Sequence, residues 1–328
     1  MEKFRTVVKI EKPAFEINYS DALVNIGSCF SENIGQCFKQ NKFNMLINPF
    51  GQQYNPVSIA NGLLRLLNPV HYQEKDLVFQ DGLYHSFDHH GSFSRSAIAE
   101  TLEVVNAGLA SGAAQLKNSK VLFLTFGSAH VFRLKENGAI VSNCHKIAGT
   151  KFTQELLSVE DIVGAISNAL QKLWEVNKNI NVVLTVSPVR YFAYGYYENS
   201  VSKGHLFAAI HKLKSQFPQL YYFPSYELVI DDLRDYRFYN EDMIHPNRQA
   251  ISYVWDRLME VMFSKQGRIA LDEVSAVIQA VKHRPRNPTG VQHQKFLQQT
   301  LQQIEKLKTT YHLDFEEEEK AIQTFLNV

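Results

Sequence analysis

Short apolar runs alternate with helix-period segments along this chain, and that alternation limits the fold more than any other feature. Ala22-Leu-Val-Asn-Ile26 runs into Gly27, Val121-Leu-Phe-Leu-Thr-Phe126 into Gly127, and Val182-Val-Leu-Thr-Val186 into Ser187-Pro188. Leu220-Tyr-Tyr-Phe223 is a fourth such run. Between and after them, Ser31–Gln40, Glu155–Val176, Val201–Phe217 and Asn247–Phe263 carry apolar residues at helical spacing. Nearly continuous apolar strands are covered on both faces, and long helical connections join parallel neighbours. The expected fold class is α/β, with a doubly wound, mostly parallel sheet. Ligands of such sheets bind beyond the carboxyl ends of the strands. The residues just after Ile26, Phe126, Val186 and Phe223 are therefore where chemistry is sought.

Length alone suggests two domains for 328 residues, at about 150 residues each. With 45% hydrophobic and 20% charged residues, the chain can form a core without metals or disulfides. Lys+Arg 34 against Asp+Glu 33 leaves a net charge of +1, so no basic excess points to nucleic acid. The 3 cysteines, Cys29, Cys37 and Cys144, make neither a disulfide framework nor a four-Cys zinc site. A reducing, cytoplasmic setting is expected. Met1–Ser20 is charged throughout and does not read as a signal peptide. No stretch approaches the roughly 18 apolar residues of a membrane helix.

Phe43–Ser96 is rich in Asn, Gly, His and Tyr and reads as loops and short helices, a common seat of function on a rigid scaffold. A helix is expected at Leu271–Lys282, a Pro-rich linker at Arg284–Gly290, and one or two amphipathic helices over Val291–Val328.

Two segments carry chemistry. Gly27-Ser28-Cys29-Phe30 lies at a strand exit and a helix start, where backbone N–H groups stabilise an anion. The plainer reading is a turn with a Ser N-cap. Asp242-Met-Ile-His245-Pro246 places a carboxylate three residues before an imidazole. Such an Asp can fix the tautomer of a catalytic His, or simply cap a surface turn. Together the segments converge on one edge of the sheet. Because Ser28 and His245 must then meet, residues 1–265 are read as one α/β domain and 266–328 as a helical extension.

These residues resemble the GSCFA family, with Gly27-Ser28-Cys29-Phe30-Ser31 matching its signature except for the final Ala. The resemblance runs on through Asn48-Pro-Phe-Gly51, Tyr54-Asn-Pro56, Thr125-Phe-Gly127-Ser128-Ala129 and Asn143-Cys-His-Lys146. It continues in Ser187-Pro-Val-Arg190, Glu198-Asn-Ser-Val-Ser-Lys203 and Tyr222-Phe-Pro-Ser-Tyr-Glu227, ending at Asp242–Pro246. The family is similar to the SGNH hydrolases, which have a flavodoxin-like esterase fold. The resemblance implies Ser28 as nucleophile, His245 as general base and Asp242 as its orienting partner. It also implies backbone oxyanion donors at Ser28 and Gly51. The Gly-x-Asn block of SGNH enzymes is here Gly127-Ser128-Ala129, without the asparagine. Ser128 or Asn143 is the expected side-chain substitute.

Cys29 is a second candidate nucleophile, ranked behind Ser28 because it is expected to turn into helix packing. His85-Ser-Phe-Asp88-His89-His90 holds enough ligands to suggest a metal, but nothing else nearby has the expected spacing, and substrate-cleft lining or a hydrogen-bonded loop is the expected role. His89, His145, Arg190 and Tyr191 are the expected substrate contacts. Tyr191, Phe192, Tyr194, Tyr196 and Tyr197 could stack on a sugar or simply pack. The Phe296/Leu301/Ile304/Leu307 stripe reads as a docked helix or a homodimer contact. The expected activity is a serine esterase or deacetylase acting on a small-molecule or glycan ester, without cofactor or metal, nucleic acid or membrane. An acyltransferase and an inactive binding protein on the same fold are the alternatives.

Overall fold

The computed structural model describes residues 5–287 and 290–326. Met1–Phe4, Pro288 and Thr289 of the expected linker, and Asn327 and Val328 of the segment expected to be helical lie outside the described residues.

Among the described residues the strands are β1 (Leu23–Gly27), β2 (Met45–Ile47), β3 (Leu77–Gln80), β4 (Leu83–Ser86), β5 (Val121–Phe126), β6 (His130–Leu134), β7 (Ile140–Val141), β8 (Phe152–Leu156), β9 (Asn181–Val186) and β10 (Tyr221–Tyr222). The helices are α1 (Cys29–Gln40), α2 (Pro56–Leu67), α3 (Ile98–Asn118), α4 (Val159–Val176), α5 (Tyr196–Gln216), the single turn α6 (Ser225–Glu227) with a following π-helical turn at Leu228–Leu233, α7 (Arg248–Met262), α8 (Lys265–Lys282), α9 (Val291–Tyr311) and α10 (Glu316–Leu326).

The main sheet has the order β10-β9-β5-β1-β2, and every pairing in it is parallel. The chain winds outward from β1 to β2, then returns through β5 to build the other half. The point of reversal lies between β1 and β5, which is the switch point where doubly wound sheets open a crevice. The α/β expectation holds.

Alternation along the central strands explains the two layers. Leu122, Leu124 and Phe126 face a core shared with α2, α3, α4 and α5. Val121 and Phe123 face the opposite core, shared with α1, α7, α8, α9 and α10. A strand buried on both faces must be apolar at both parities. Each fully buried Leu or Phe contributes roughly 1.5–3 kcal/mol.

Helix starts follow local chemistry. Ser158 and Asp161 form a capping box at α4, while Asn55 caps α2 just before Pro56. The helix expected from Glu155 instead begins at Val159, because Phe152–Leu156 pairs with β6 as a strand. Arg133 and Glu155 bridge that pair at 3.0 Å. The irregular region expected at 43–96 contains the full helix α2 and the hairpin β3–β4. Its turn is Asp81-Gly82, both at positive φ (52° and 78°), as a two-residue hairpin loop requires.

The C-terminal helices complete a core rather than hang from one. Ile304, Leu307 and Phe315 are fully buried with Phe38 and Phe263 in the second cluster. The stripe singled out in α9 therefore docks against its own chain, apart from Phe296, which stays 39% exposed.

Candidate active site

Three loops meet at the switch point. The first is the exit of β1. Gly27 is required there because a Cβ would sit 2.5 Å from the Thr125 carbonyl oxygen of the neighbouring strand. The second is Asn48–Asn55. Asn48 Oδ1 accepts from Gly27 N–H at 2.9 Å, and Gln53 N–H donates to Gly27 O at 2.9 Å. The third is the exit of β5, where Gly127 and Ser128 N–H both donate to Tyr54 O, at 2.8 and 3.0 Å. A Cβ on Gly127 would lie 3.4 Å from Ser28 Cβ. These bonds fix the start of α1 against the ends of both central strands.

Ser28 is the N-cap residue of α1, yet its hydroxyl caps nothing. It is 1% exposed, and its Oγ has no hydrogen-bond partner. Cys29 is half-buried and lies outside the buried face of α1, which is Phe30, Ser31, Ile34, Gly35 and Phe38. Cys29 therefore does not join the buried face of the helix as expected, and Ser28 is sealed from solvent. The helix begins at Cys29, and its phase turns that side chain away from the core while the loops seal Ser28. The Cys29 sulfur is faced by the backbone N–H groups of Phe30 and of Cys29 itself. Burial is the largest influence and pushes the thiol up; those amides and Lys203 oppose it.

The late segment forms a dyad. Asp242 Oδ1 accepts from the N–H groups of Ile244 and His245, each at 2.9 Å. Its Oδ2 lies 2.7 Å from His245 Nδ1. The backbone N–H of His245, then that of Ile244, then the imidazole hold the carboxyl down at about 2. An ionised carboxylate only accepts, so Nδ1 carries the proton and Nε2 of the neutral ring is an acceptor. Both side chains are exposed, at 41% for His245 and 46% for Asp242. Met243, at φ 58°, makes the turn that brings them together. The segment is closed by a Tyr239–Pro246 bridge, and Asn247 then caps α7. The imidazole is not hydrogen-bonded to Ser28, whose Oγ is unpartnered.

Of the oxyanion donors named from sequence, the Gly51 N–H is engaged elsewhere, while Ser128 and Asn143 accept backbone bonds. Gly51, at φ 73°, closes a turn by donating its N–H to Asn48 O at 2.7 Å. Ser128 Oγ accepts from His130 N–H at 3.0 Å and lies 3.3 Å from Ser202 Oγ. Asn143 Oδ1 accepts from His145 N–H at 2.9 Å, which holds His145 in its left-handed conformation. The first-turn amides of α1 are what the structure brings to the edge.

The expected substrate contacts divide. His89 is fully buried, with Nδ1 2.9 Å from Ser86 Oγ, and burial lowers it to about 3. His145 is buried, stacked on His85 at 4.4 Å, with Nε2 2.8 Å from Ser86 O. Both are interior residues rather than cleft lining: His89 packs among Phe50, Tyr72 and Phe93, and His145 against His85 and Phe87. Among the described residues no three His, Cys, Asp or Glu side chains are grouped to hold an ion. Tyr191 is 59% exposed. Arg190 contacts Asn199, Ser200 and the Phe192 ring.

Lys203 is the residue that sequence reasoning passed over. Its side chain is fully enclosed, and Nζ donates to Gly127 O and to Ser187 O, each at 2.7 Å. Burial lowers it to about 7, and Cys29 opposes that shift. The signal was present in α5, where Asn199, Ser202, Lys203, Leu206, Ala209, Ile210 and Leu213 form the buried stripe. A lysine at a core-facing position is a buried cation by spacing alone.

No curated protein matches the sequence. Among solved structures, an acetyl xylan esterase (Est2A) from the rumen bacterium Butyrivibrio proteoclasticus is similar at 12% identity and a TM-score of 0.36, over 74% of this chain. The chain spans 65% of the length of that structure. The sequence matches the GSCFA domain protein, C-terminal domain, over residues 274–328. Residues 22–258, well over half of the chain, match the GSCFA family, and the chain belongs to that family.

Proposed function

We propose that this protein is a carboxylic-ester hydrolase working through an acyl-enzyme intermediate. The 2.7 Å contact between His245 Nδ1 and Asp242 Oδ2 carries the reading. It leaves a basic Nε2 at an exposed site, which is the arrangement a general base needs. The nucleophile comes from the Gly27-Ser28-Cys29 turn. The first-turn amides of α1 are oriented donors for the oxyanion, each worth roughly 3–4 kcal/mol in sites of this kind. No cofactor enters the scheme.

A carbohydrate ester is the substrate class we favour. Tyr191, Tyr196, Tyr197 and Tyr236 expose 59–77% of their surface. Aromatic faces offer apolar area to the C–H face of a sugar ring, with a polar tip for its hydroxyls. Turnover of a short-chain nitrophenyl ester and of an acetylated oligosaccharide, each lost in His245→Ala, tests the reading. Equal rates in wild type and His245→Ala would remove it.

A further inference from the structure

β5 and β9 pair in register as far as Phe126 and Val186, and Ser187 N–H still donates to Phe126 O at 2.9 Å. Beyond that bond the two strands part. Gly127 and Ser128 turn toward Tyr54, whose carbonyl takes both of their N–H groups. Ser187 runs on into Pro188. The carbonyls of Gly127 and Ser187, one residue past the paired ends, are taken up by a single side chain. Lys203 Nζ donates to each of them at 2.7 Å.

This grip is built into α5. Lys203 is 2% exposed and lies on the buried stripe of that helix. The residue before it holds the same exit, because Ser202 Oγ accepts from Ala129 N–H at 2.8 Å. Burying an amine is costly, and an apolar stem would fill the same space without that cost. The cost is offset where the N–H groups meet carbonyls that would otherwise be buried without a partner. Gly127 in turn packs on the nucleophile turn. A Cβ at Gly127 would lie 3.4 Å from Ser28 Cβ and 3.1 Å from Tyr54 O. A shift of the Gly127 backbone is therefore a shift of the wall on which Ser28 rests.

We propose that Lys203 is a positioning residue of this site: by tying the parted exits of β5 and β9 it holds Gly127 against Ser28 and fixes the nucleophile turn in the crevice. The proposal rests on the ester-hydrolase reading and extends it to a residue that does not meet substrate. Lys203 acts through Gly127, and the binding surface for the ester is left as it is. Losing the tie should slow the chemical step and leave substrate binding unchanged.

The test is steady-state kinetics on a short-chain nitrophenyl ester with two variants of the full-length protein. Lys203→Met fills the space without donors. Lys203→Gln keeps N–H donors on a stem one atom shorter. A misplacement of about 1 Å in a reacting group costs on the order of 10²-fold in rate. Lys203→Met should lower kcat by about 10²-fold with KM within about twofold of wild type. Lys203→Gln should recover about tenfold of that loss. Phe315→Ala, in the opposite core layer, controls for lost stability alone and should keep kcat within about twofold. An unchanged kcat in Lys203→Met, a fall no greater than in Phe315→Ala, or a rise in KM alone overturns the proposal. Recovery absent in Lys203→Gln overturns it too. If Lys203→Met does not fold, Lys203→Gln decides: a fall of about tenfold is expected, and wild-type kcat overturns the proposal.

A second readout does not need turnover. The Gly127 and Ser128 N–H groups should exchange with deuterium faster in the Lys203 variants, by more than the α4 peptide does. Exchange that is unchanged there overturns the tie whatever the kinetics. Wild type without ester turnover sinks the hydrolase reading instead, and that result is in hand before any variant is compared.

Discussion

His245 Nδ1 and Asp242 Oδ2 lie 2.7 Å apart on a turn that also gives the carboxylate two backbone N–H donors. The carboxylate is thereby fixed before any substrate binds. It orients the ring and selects the tautomer whose Nε2 accepts a proton.

Asp242→Asn should keep the turn but lose the tautomer selection. A positioned general base contributes about 10²–10⁴-fold to rate, so kcat should fall within that range while KM changes little. The carboxyl is held down at about 2, chiefly by the His245 backbone N–H. It is therefore ionised throughout any assay range, and no acid limb between about pH 3 and 5 should belong to it. Steady-state kinetics on wild type and variant check both points.

Tyr191 bears on substrate class. It is 59% exposed and lies in a T-shaped contact with Tyr194, ring centroids 6.1 Å apart. Tyr191→Ala should raise KM for an acetylated oligosaccharide about 2- to 10-fold, the worth of one aromatic contact. KM for a nitrophenyl ester should hardly move. An equal effect on both substrates would speak against sugar stacking.

His89 makes stability depend on pH. Burial lowers it to about 3 in the folded chain, against about 6.5 when unfolded. Above pH 6.5 both states are neutral there and nothing changes with pH. Between pH 6.5 and 3 the unfolded chain binds a proton that the folded chain refuses. Folding stability should therefore fall on acidification through that window, by up to about 1.4 kcal/mol per pH unit from this group. His89→Gln keeps a polar partner for Ser86 and should show a flatter slope between pH 6 and 4. Urea titrations across that range measure it, and identical slopes would exclude the effect.

Phe315 tests whether the C-terminal helices are integral. It is fully buried in the cluster that includes Phe38, Phe263 and Leu307. Phe315→Ala should cost about 3–5 kcal/mol by denaturant unfolding. A cost below about 1 kcal/mol would mean that the segment adds little to the core.

Much of the fold was legible because the apolar runs at Val121–Phe126 and Val182–Val186 have no polar face, which only a doubly covered strand needs. The β6–β8 pair was not, because Glu155 and Leu156, the end of β8, border a helix of strong periodicity and were absorbed into it. The hairpin turn Asp81-Gly82 was a readable signal masked by the polar residues around it. At the site, Asp242 and His245 were legible because three-residue spacing closes a local turn. Ser28 and Cys29 could not be ranked, since which of them faces solvent depends on the phase at which α1 starts and on loops 48–55 and 127–129. His89 and His145 were read as substrate contacts, but their burial against residues distant in sequence, such as Phe50 and Tyr72 for His89, leaves no local pattern.

The measurement that bears most directly on the account is release of nitrophenol from a short-chain nitrophenyl ester, compared between wild type and His245→Ala. The account predicts turnover above the buffer blank in wild type and a loss of about 10²–10⁴-fold in the variant. Turnover that is absent in wild type between pH 6 and 9, or equal in both proteins, would contradict it.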